Sequence, residues 1–196
     1  MSGTLLNDGV IIRKRLMNYE SPPLPPKGGV KSPLGDLGVK NIIMEIHHYN
    51  SPVGILEIKT DGRAITGIYI LKNNPAKIQT STNPLVEKAC RQFDEYFAGK
   101  RKTFDLPLSP EGGTPFQQTV WKQLQEIPYG KTISYAQLAK AIGNPKACRA
   151  VGSANGKNPI SIIIPCHRVI AADGTLGGYS SGLVAKKQLL ELECSY

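Results

Sequence analysis

Between Ile42 and Leu71 the apolar residues fall into three runs, IIMEIHHY, VGILEIK and ITGIYIL, separated by the turn signals Ser51-Pro52 and Asp61-Gly62. Short runs rich in β-branched and aromatic residues between turn residues read as strands. Turns this tight join only neighbours that run in opposite directions, so the segment predicts a three-stranded antiparallel meander. Such a sheet has an apolar face that another element must cover. The next segment supplies the cover: Leu85, Val86, Ala89, Cys90, Phe93, Tyr96 and Phe97 recur at helical spacing after Asn83-Pro84 and before Gly99. Cys90 falls on that stripe and reads as a structural cysteine. His47 and His48 adjoin a strand end with no evident partners.

The proline-glycine stretch LPLSPEGGTP then breaks the pattern, and a domain boundary is expected there. Beyond it, Thr114, Pro115 and Gln117 form a capping box with proline at the first helical position, followed by an apolar stripe of Phe116, Val120, Leu124 and Ile127. This helix is expected to stop at Pro128-Tyr129-Gly130. A second box, Ser134 to Gln137, opens ISYAQLAKAIG, with Ile133, Leu138, Ala139 and Ile142 inward and Gly143 at its end. Asn144-Pro145 is expected to start a third helix at once. Two short helices joined by a glycine-containing turn, with Lys146 and Arg149 on the second, make a helix-turn-helix candidate. The stretch SGLVAKKQLLELECSY reads as a last helix. The architecture is thus α+β, with a leader over 1–41, a sheet-and-helix domain over 42–108 and a mostly helical domain over 109–196.

With 196 residues, 40% of them hydrophobic and 20% charged, the chain can bury a sizeable core. The leader carries PPLPPKGG and five of the fifteen prolines, and no stable hydrophobic period. No apolar run reaches the ~20 residues that span a bilayer. The first residues lack an apolar signal-peptide core, so a cytoplasmic protein without a membrane partner is expected, beside the chromosome or within a nucleus where one exists. The four cysteines, Cys90, Cys148, Cys166 and Cys194, lack metal-binding or disulfide spacing; no metal and no cofactor is called for. The formal charge of +9 is unevenly spread: between Glu126 and Asp173 there is no acid, only Lys131, Lys140, Lys146, Arg149, Lys157 and Arg168. Counterion release would favour such a segment on nucleic acid, although a solvated basic surface fits the charge alone equally well.

Chemistry concentrates in IIIPCHRVI, residues 162–170. Pro165 forbids a regular central strand, and a turn there lets Cys166 and His167 share a pocket instead of facing opposite sides. From the dipeptide alone, a buried cysteine beside a surface histidine is the simpler reading. Arg149 and Arg168 are candidates to stabilise a thiolate, and Glu191 or Glu193 in the last helix to orient the imidazole. Nucleophile, base and orienter would then be complete.

At RAVGSANGKNPISIIIPCHRVI, residues 149–170, with ISYAQLAKAIGNP before it and GTLGGYSSGLVAKKQLLELE after it, the chain resembles the methylated-DNA protein-cysteine methyltransferases, also called O6-alkylguanine-DNA alkyltransferases. The resemblance runs from Phe116 to Tyr196; over 42–108 it rests on strand and helix order. It implies a ribonuclease-H-like first domain and a winged-helix-like second one. It also implies direct DNA repair: an alkyl group passes from O6 of guanine, less readily from O4 of thymine, to the protein's own cysteine, once per molecule. Cys166 matches the acceptor, His167 the residue that draws its proton through a water, and Glu193, rather than Glu191, the carboxylate behind the histidine. Asn158 matches the asparagine that ties the active-site turn. Tyr135 matches the tyrosine that contacts a phosphate and donates toward guanine N3. Tyr179, Ser180 and Ser161 match pocket residues, the last in a wall where members differ, so the size of alkyl group accepted stays open. Arg149 matches the finger that fills the stack when the nucleotide is flipped out.

The implied partner is double-stranded DNA, approached from the minor groove, where the degenerate base-edge pattern suits a scanner of any sequence. The small residues Ala147, Ala150, Gly152, Ser153 and Ala154 around Arg149 are expected to line the sugar-phosphate wall, and the protein to act as a monomer. Cys148 is an extra thiol near that surface and reads as a helix-packing residue. Alkylation is expected to crowd the turn, disturb Asn158 and destabilise the fold. Two rival readings remain open: a lesion sensor without transfer, whose relatives carry another residue at the acceptor position, and a cysteine hydrolase, which would turn over.

Overall fold

The alternation of the first runs settles into strands β1 (Glu45–Ser51), β2 (Gly54–Thr60) and β3 (Ile65–Ile70), hydrogen-bonded in that order as an antiparallel sheet. In this computed structural model residues 44–194 are described, so the expected leader lies outside the described residues. Ser51 pairs with Gly54 across the Pro52-Val53 turn. The β2–β3 connection is closed by Asp61, whose carboxylate accepts from the Arg63 and Ala64 amides. Helix α1 (Pro84–Phe97) starts at the Asn83 cap and buries Val86, Ala89, Phe93 and Tyr96, the last three in one cluster with Leu56, Ile58, Ile68 and Ile70 of the sheet.

Both edges of this sheet are covered, which the sequence did not announce. On β1, the His48 amide donates to the Gln79 carbonyl at 2.9 Å, while the Nδ1 atoms of His48 and His47 accept from the Gln79 and Ser81 amides. The two histidines expected to lack partners therefore clamp the 79–81 segment onto an edge that would otherwise expose unpaired backbone groups. The outer edge of β3 is paired by two later segments, around 107–109 and 159–161. Ile65 bonds with Pro107 and Ser109, and Ile68 with Pro159 and Ser161, at 2.8–2.9 Å. That explains why Ile65, Thr66, Gly67 and Ile68 are all buried in a row, as a strand flanked on both sides requires.

In the second half, α2 (Pro115–Leu124) and α3 (Tyr135–Ala141) each begin with the complete capping box expected at Thr114 and Ser134. After Leu124 the bonds of α2 tighten to i→i+3 as far as Ile127, because Pro128 disfavours the helical conformation in the residue before it. Helix α4 (Cys148–Gly156) begins later than expected. Asn144-Pro145 makes a turn instead, closed by the Ala147 amide on the Asn144 carbonyl at 3.0 Å. Proline at the second turn position has the same φ as proline at a helix start, so the sequence signal fits both. Trp121 of α2 donates to the Ala154 carbonyl of α4 at 2.9 Å and locks the helices together. Helix α5 (Leu183–Cys194) closes the chain. Among the described residues no helix is long and apolar enough to cross a membrane.

A short parallel pair, β4 (Ile133–Ser134) with β5 (Val169–Ile170), connects the α3 cap to the segment that follows Cys166. Each strand has two residues, too few to produce a periodic signal.

Candidate active site

The segment from Asn158 to Arg168 has no regular secondary structure until a 3-10 turn at Cys166–Arg168. It is held from all sides. Ser161 is fixed to β3 by its amide. Asn158 donates to the Ile160 and Ile164 carbonyls at 3.3 and 2.7 Å and accepts from the Ile160 amide at 3.0 Å. Asn155 of α4 donates to the Cys166 carbonyl at 3.2 Å. Ile162, β-branched and buried, sits at φ 73, a left-handed conformation that costs such a residue roughly 1–2 kcal/mol. These anchors hold that strained backbone in place. The turn expected from Pro165 is present, and it turns Cys166 and His167 into the interior, 2% and 0% exposed.

Burial pushes the Cys166 thiol above its ordinary pKa; Asn158, Tyr179 and the charge of Lys186 oppose that shift. The resting sulfur is therefore a protonated thiol that needs a base. Burial likewise lowers the pKa of His167, against the pull of Glu193. His167 Nε2 lies 3.0 Å from Glu193 Oε1, and its Nδ1 has no protein partner. The carboxylate fixes the tautomer. Burial raises the Glu193 pKa, but the hydrogen bonds and charges of His167 and Arg168 overcome it and hold the group far below the usual carboxylate range. An ionised carboxylate only accepts, so Nε2 carries the proton and Nδ1 presents the lone pair. His167 is thus a neutral base, and no direct hydrogen bond joins it to the Cys166 sulfur.

Glu193 reaches this position because Ala185, Leu189 and Glu193 follow one another at i+4 on the buried side of α5. Glu191 is exposed and pairs with Lys187 at 3.6 Å. The residues alone left the two glutamates open; which face of α5 is buried separates them. Arg168 grips Glu193 with two bonds of 2.8 Å and donates a third, of 2.6 Å, to the Ile127 carbonyl. Its guanidinium serves the carboxylate, and Arg149 is exposed on α4. Neither arginine supports a thiolate, contrary to expectation. The cation near the sulfur is Lys186, which the sequence reading missed. Its ammonium is fully buried and donates to the carbonyls of Val169 at 2.6 Å, Gly178 at 3.3 Å and Leu176. Burial lowers its pKa to about 8. A lysine beside exposed Lys187 gives no sequence sign of this; only the turn of α5 separates them.

The remaining expected residues divide between pocket and surface. The hydroxyl of Tyr179 is buried between Cys166 and Ser161 without a well-formed hydrogen bond, and its pKa is raised by burial first and by Cys166 second. Ser161 is buried, and Ser180, next to Tyr179 in the chain, is exposed. Tyr135 opens α3 and donates to the Gly178 carbonyl at 3.4 Å. An added Cβ at Gly177, which sits at φ 64, would crowd the Tyr135 ring at 3.1 Å, and one at Gly152 would meet the ring in ordinary contact at 3.7 Å. On α4, Arg149, Ala150 and Ser153 are exposed, Ala147 and Gly152 half-buried. Ala154, expected on that face, is 2% exposed and packs inward, because it lies a helical turn behind Val151 on the core stripe. A cleft of about 480 Å³ between the two halves is lined by Phe104, Tyr129, Pro165 and Arg168; it lies behind the turn and does not include Cys166. Among the described residues no group of three or more His, Cys, Asp or Glu is placed to hold a metal.

Two family descriptions cover most of the described residues. The 6-O-methylguanine DNA methyltransferase ribonuclease-like domain matches residues 44–110, and the DNA binding domain of the same methyltransferase matches residues 115–195. The methylated-DNA–protein-cysteine methyltransferase of Methanosarcina acetivorans is 48% identical over 152 residues, 75% of this chain and 96% of its own. The crystal structure of Mycobacterium tuberculosis O6-methylguanine methyltransferase superposes with a TM-score of 0.71 at 43% identity, covering 78% of this chain and 94% of its own. The Mycobacterium tuberculosis OGT crystallised in complex with DNA gives 0.70 at 46% identity, covering 76% and 92%. On these likenesses, over both halves of the fold and through the Cys166 turn, the chain belongs to the methylated-DNA–protein-cysteine methyltransferase family.

Proposed function

We propose that the protein repairs O6-alkylguanine in double-stranded DNA by moving the alkyl group onto Cys166 in a single, irreversible event. The observation that carries this reading is the buried set Cys166, His167 and Glu193, with the base nitrogen of His167 left free by the carboxylate. The Cys166 proton passes through a water to His167 Nδ1. Sulfur bonds to the alkyl carbon as the C–O6 bond breaks, and the electron pair stays on guanine. Tyr135 supplies a proton toward guanine N3. Water has no easy path to a thioether, so the thiol does not return.

At its ordinary pKa a cysteine is roughly 3% thiolate at pH 7, and Cys166 is pushed higher. Lowering that pKa to about 7 would gain only on the order of fifteenfold in thiolate and lose about fivefold in nucleophilicity. Alignment of sulfur, carbon and leaving oxygen, with protonation of the departing guanine, therefore supplies most of the acceleration. The target atom faces the interior of a duplex, so the nucleotide must be rotated out. Arg149 fills its place, while Ala147, Ala150, Gly152 and Ser153 lie against the minor-groove backbone. Tyr179, Ser180 and Ser161 hold the extruded base. The protein acts as a monomer within the cell, with 42–108 and 109–196 as its two domains behind the 1–41 leader.

The test is incubation with a duplex bearing one O6-methylguanine, followed by peptide mass spectrometry. One added methylene on Cys166 per guanine restored is expected, and repeated turnover would refute the mechanism. Cys166→Ala is expected to abolish transfer and leave duplex binding within about threefold, since an Ala at this site removes only the thiol.

A further inference from the structure

Glu193 collects its donors from several parts of the chain. His167 and Arg168 come from the turn, the Gly130 amide from the loop after α2 at 3.2 Å, and Tyr96 from α1 at 2.8 Å. All but Tyr96 belong to the half of the chain that holds Cys166. Tyr96 is fully buried, with its ring edge-on to Tyr129 at 6.1 Å and to Phe97 at 5.2 Å. Its hydroxyl bonds to Oε1, the oxygen that also faces His167 Nε2. Donors that share one carboxylate oxygen divide its charge among them.

We propose that Tyr96 is a positioning residue for the transfer reaction, its hydroxyl sharing the Glu193 carboxylate so that α1 sets how strongly Glu193 grips His167. This rests on the reading of His167 as the base given above. Without the hydroxyl, Oε1 carries more charge, pulls harder on the Nε2 proton and favours the imidazolium. A protonated His167 cannot take the proton of Cys166. The other groups around the pair are Arg168 and Lys186, whose charges disfavour the imidazolium, the phenol of Tyr129 on the inner loop, and Cys166 itself. Among the described residues only Tyr96 bonds to Glu193 from the sheet-and-helix half. It is a residue for which a packing role alone would need the ring and not the oxygen.

Tyr96→Phe keeps the ring and removes the oxygen. In the full-length protein the acid limb of the pH–rate profile for transfer from an O6-methylguanine duplex is expected to move up by roughly half to one pH unit. The rate well down that acid limb then falls about three- to tenfold, while that near pH 8.5 stays within about twofold. In ring-labelled protein without DNA, the His167 Nε2–H resonance moves downfield as its bond to Glu193 strengthens. Replacing Tyr96 with 3-fluorotyrosine, a stronger donor of nearly the same shape, moves limb and resonance the other way, and serves if the Phe variant does not fold. An acid limb and a resonance unmoved in the folded variants overturn the proposal, as does an equal loss of rate at every pH. Wild-type protein that leaves Cys166 unmodified overturns the repair reading instead, and the resonance still decides the role of Tyr96.

Discussion

Lys186 is the residue whose placement departs furthest from what its type predicts. A buried ammonium without a carboxylate is costly, and here backbone carbonyls of Val169, Leu176 and Gly178 surround it. It thereby ties β5 to the loop that carries Tyr179, and it brings a positive charge toward Cys166. Lys186→Met should raise the midpoint of Cys166 alkylation by iodoacetamide as pH is varied, and slow transfer about tenfold through loss of that charge and of the loop anchor. An unchanged midpoint would mean that the lysine serves the loop alone. Arg168 is a different case. Its fork matches a carboxylate in a way lysine cannot, and removing one partner of such a buried pair typically costs ~3–5 kcal/mol. Its charge was visible in the sequence, but its partner was not.

At the level of elements, α4 combines two faces. Val151, Ala154 and Asn155 look inward to the core and the Cys166 turn, and Arg149, Ala150 and Ser153 look out. A helix so poor in large side chains lets a flat partner come close to its backbone, and its one long exposed group is Arg149. Arg149→Ala should slow repair of a duplex substrate by about tenfold or more, while reaction with a free O6-alkylguanine base changes less than about twofold, since only the duplex pays for unstacking. Equal slowing on both substrates would remove the finger role. Capping boxes on α2 and α3 are local rules and were readable residue by residue. The start of α4 was not, because Asn144-Pro145 satisfies a turn and a helix start alike.

For the whole molecule, three perturbed groups of the active-site region act on stability with one sign. Burial depresses the folded pKa of His167 below its ordinary 6.5, and that of Glu193 lies far below its ordinary 4.5. The unfolded chain therefore takes up protons first as pH falls, and stability present above about pH 6.5 is lost progressively below it. Lys186, lowered to about 8, adds a further rise with pH above that value by the same rule. Cys166, raised from an ordinary 9.0, opposes it there. Thermal melts should thus climb from acid pH to about pH 6.5, level off there, and rise again above about pH 8 until Cys166 opposes the gain near pH 9. A maximum near pH 5 would contradict the protonation states assigned here.

By itself the sequence determined the meander, the α1 cover and the capped helices, because each follows from periodicity or turn chemistry, and a contiguous motif marked Cys166 and His167 as the candidate pair. What only the tertiary structure decided are contacts between residues far apart in the chain. The β3 edge paired with Ser109 and Ser161, the Lys186 cage, the Arg168 fork and the Tyr96 hydroxyl on Glu193 leave no local trace. The last spans 97 positions. Local pattern encodes which face of an element is buried; it does not encode which distant atom meets that face, and the protonation states of the active site depend on those meetings.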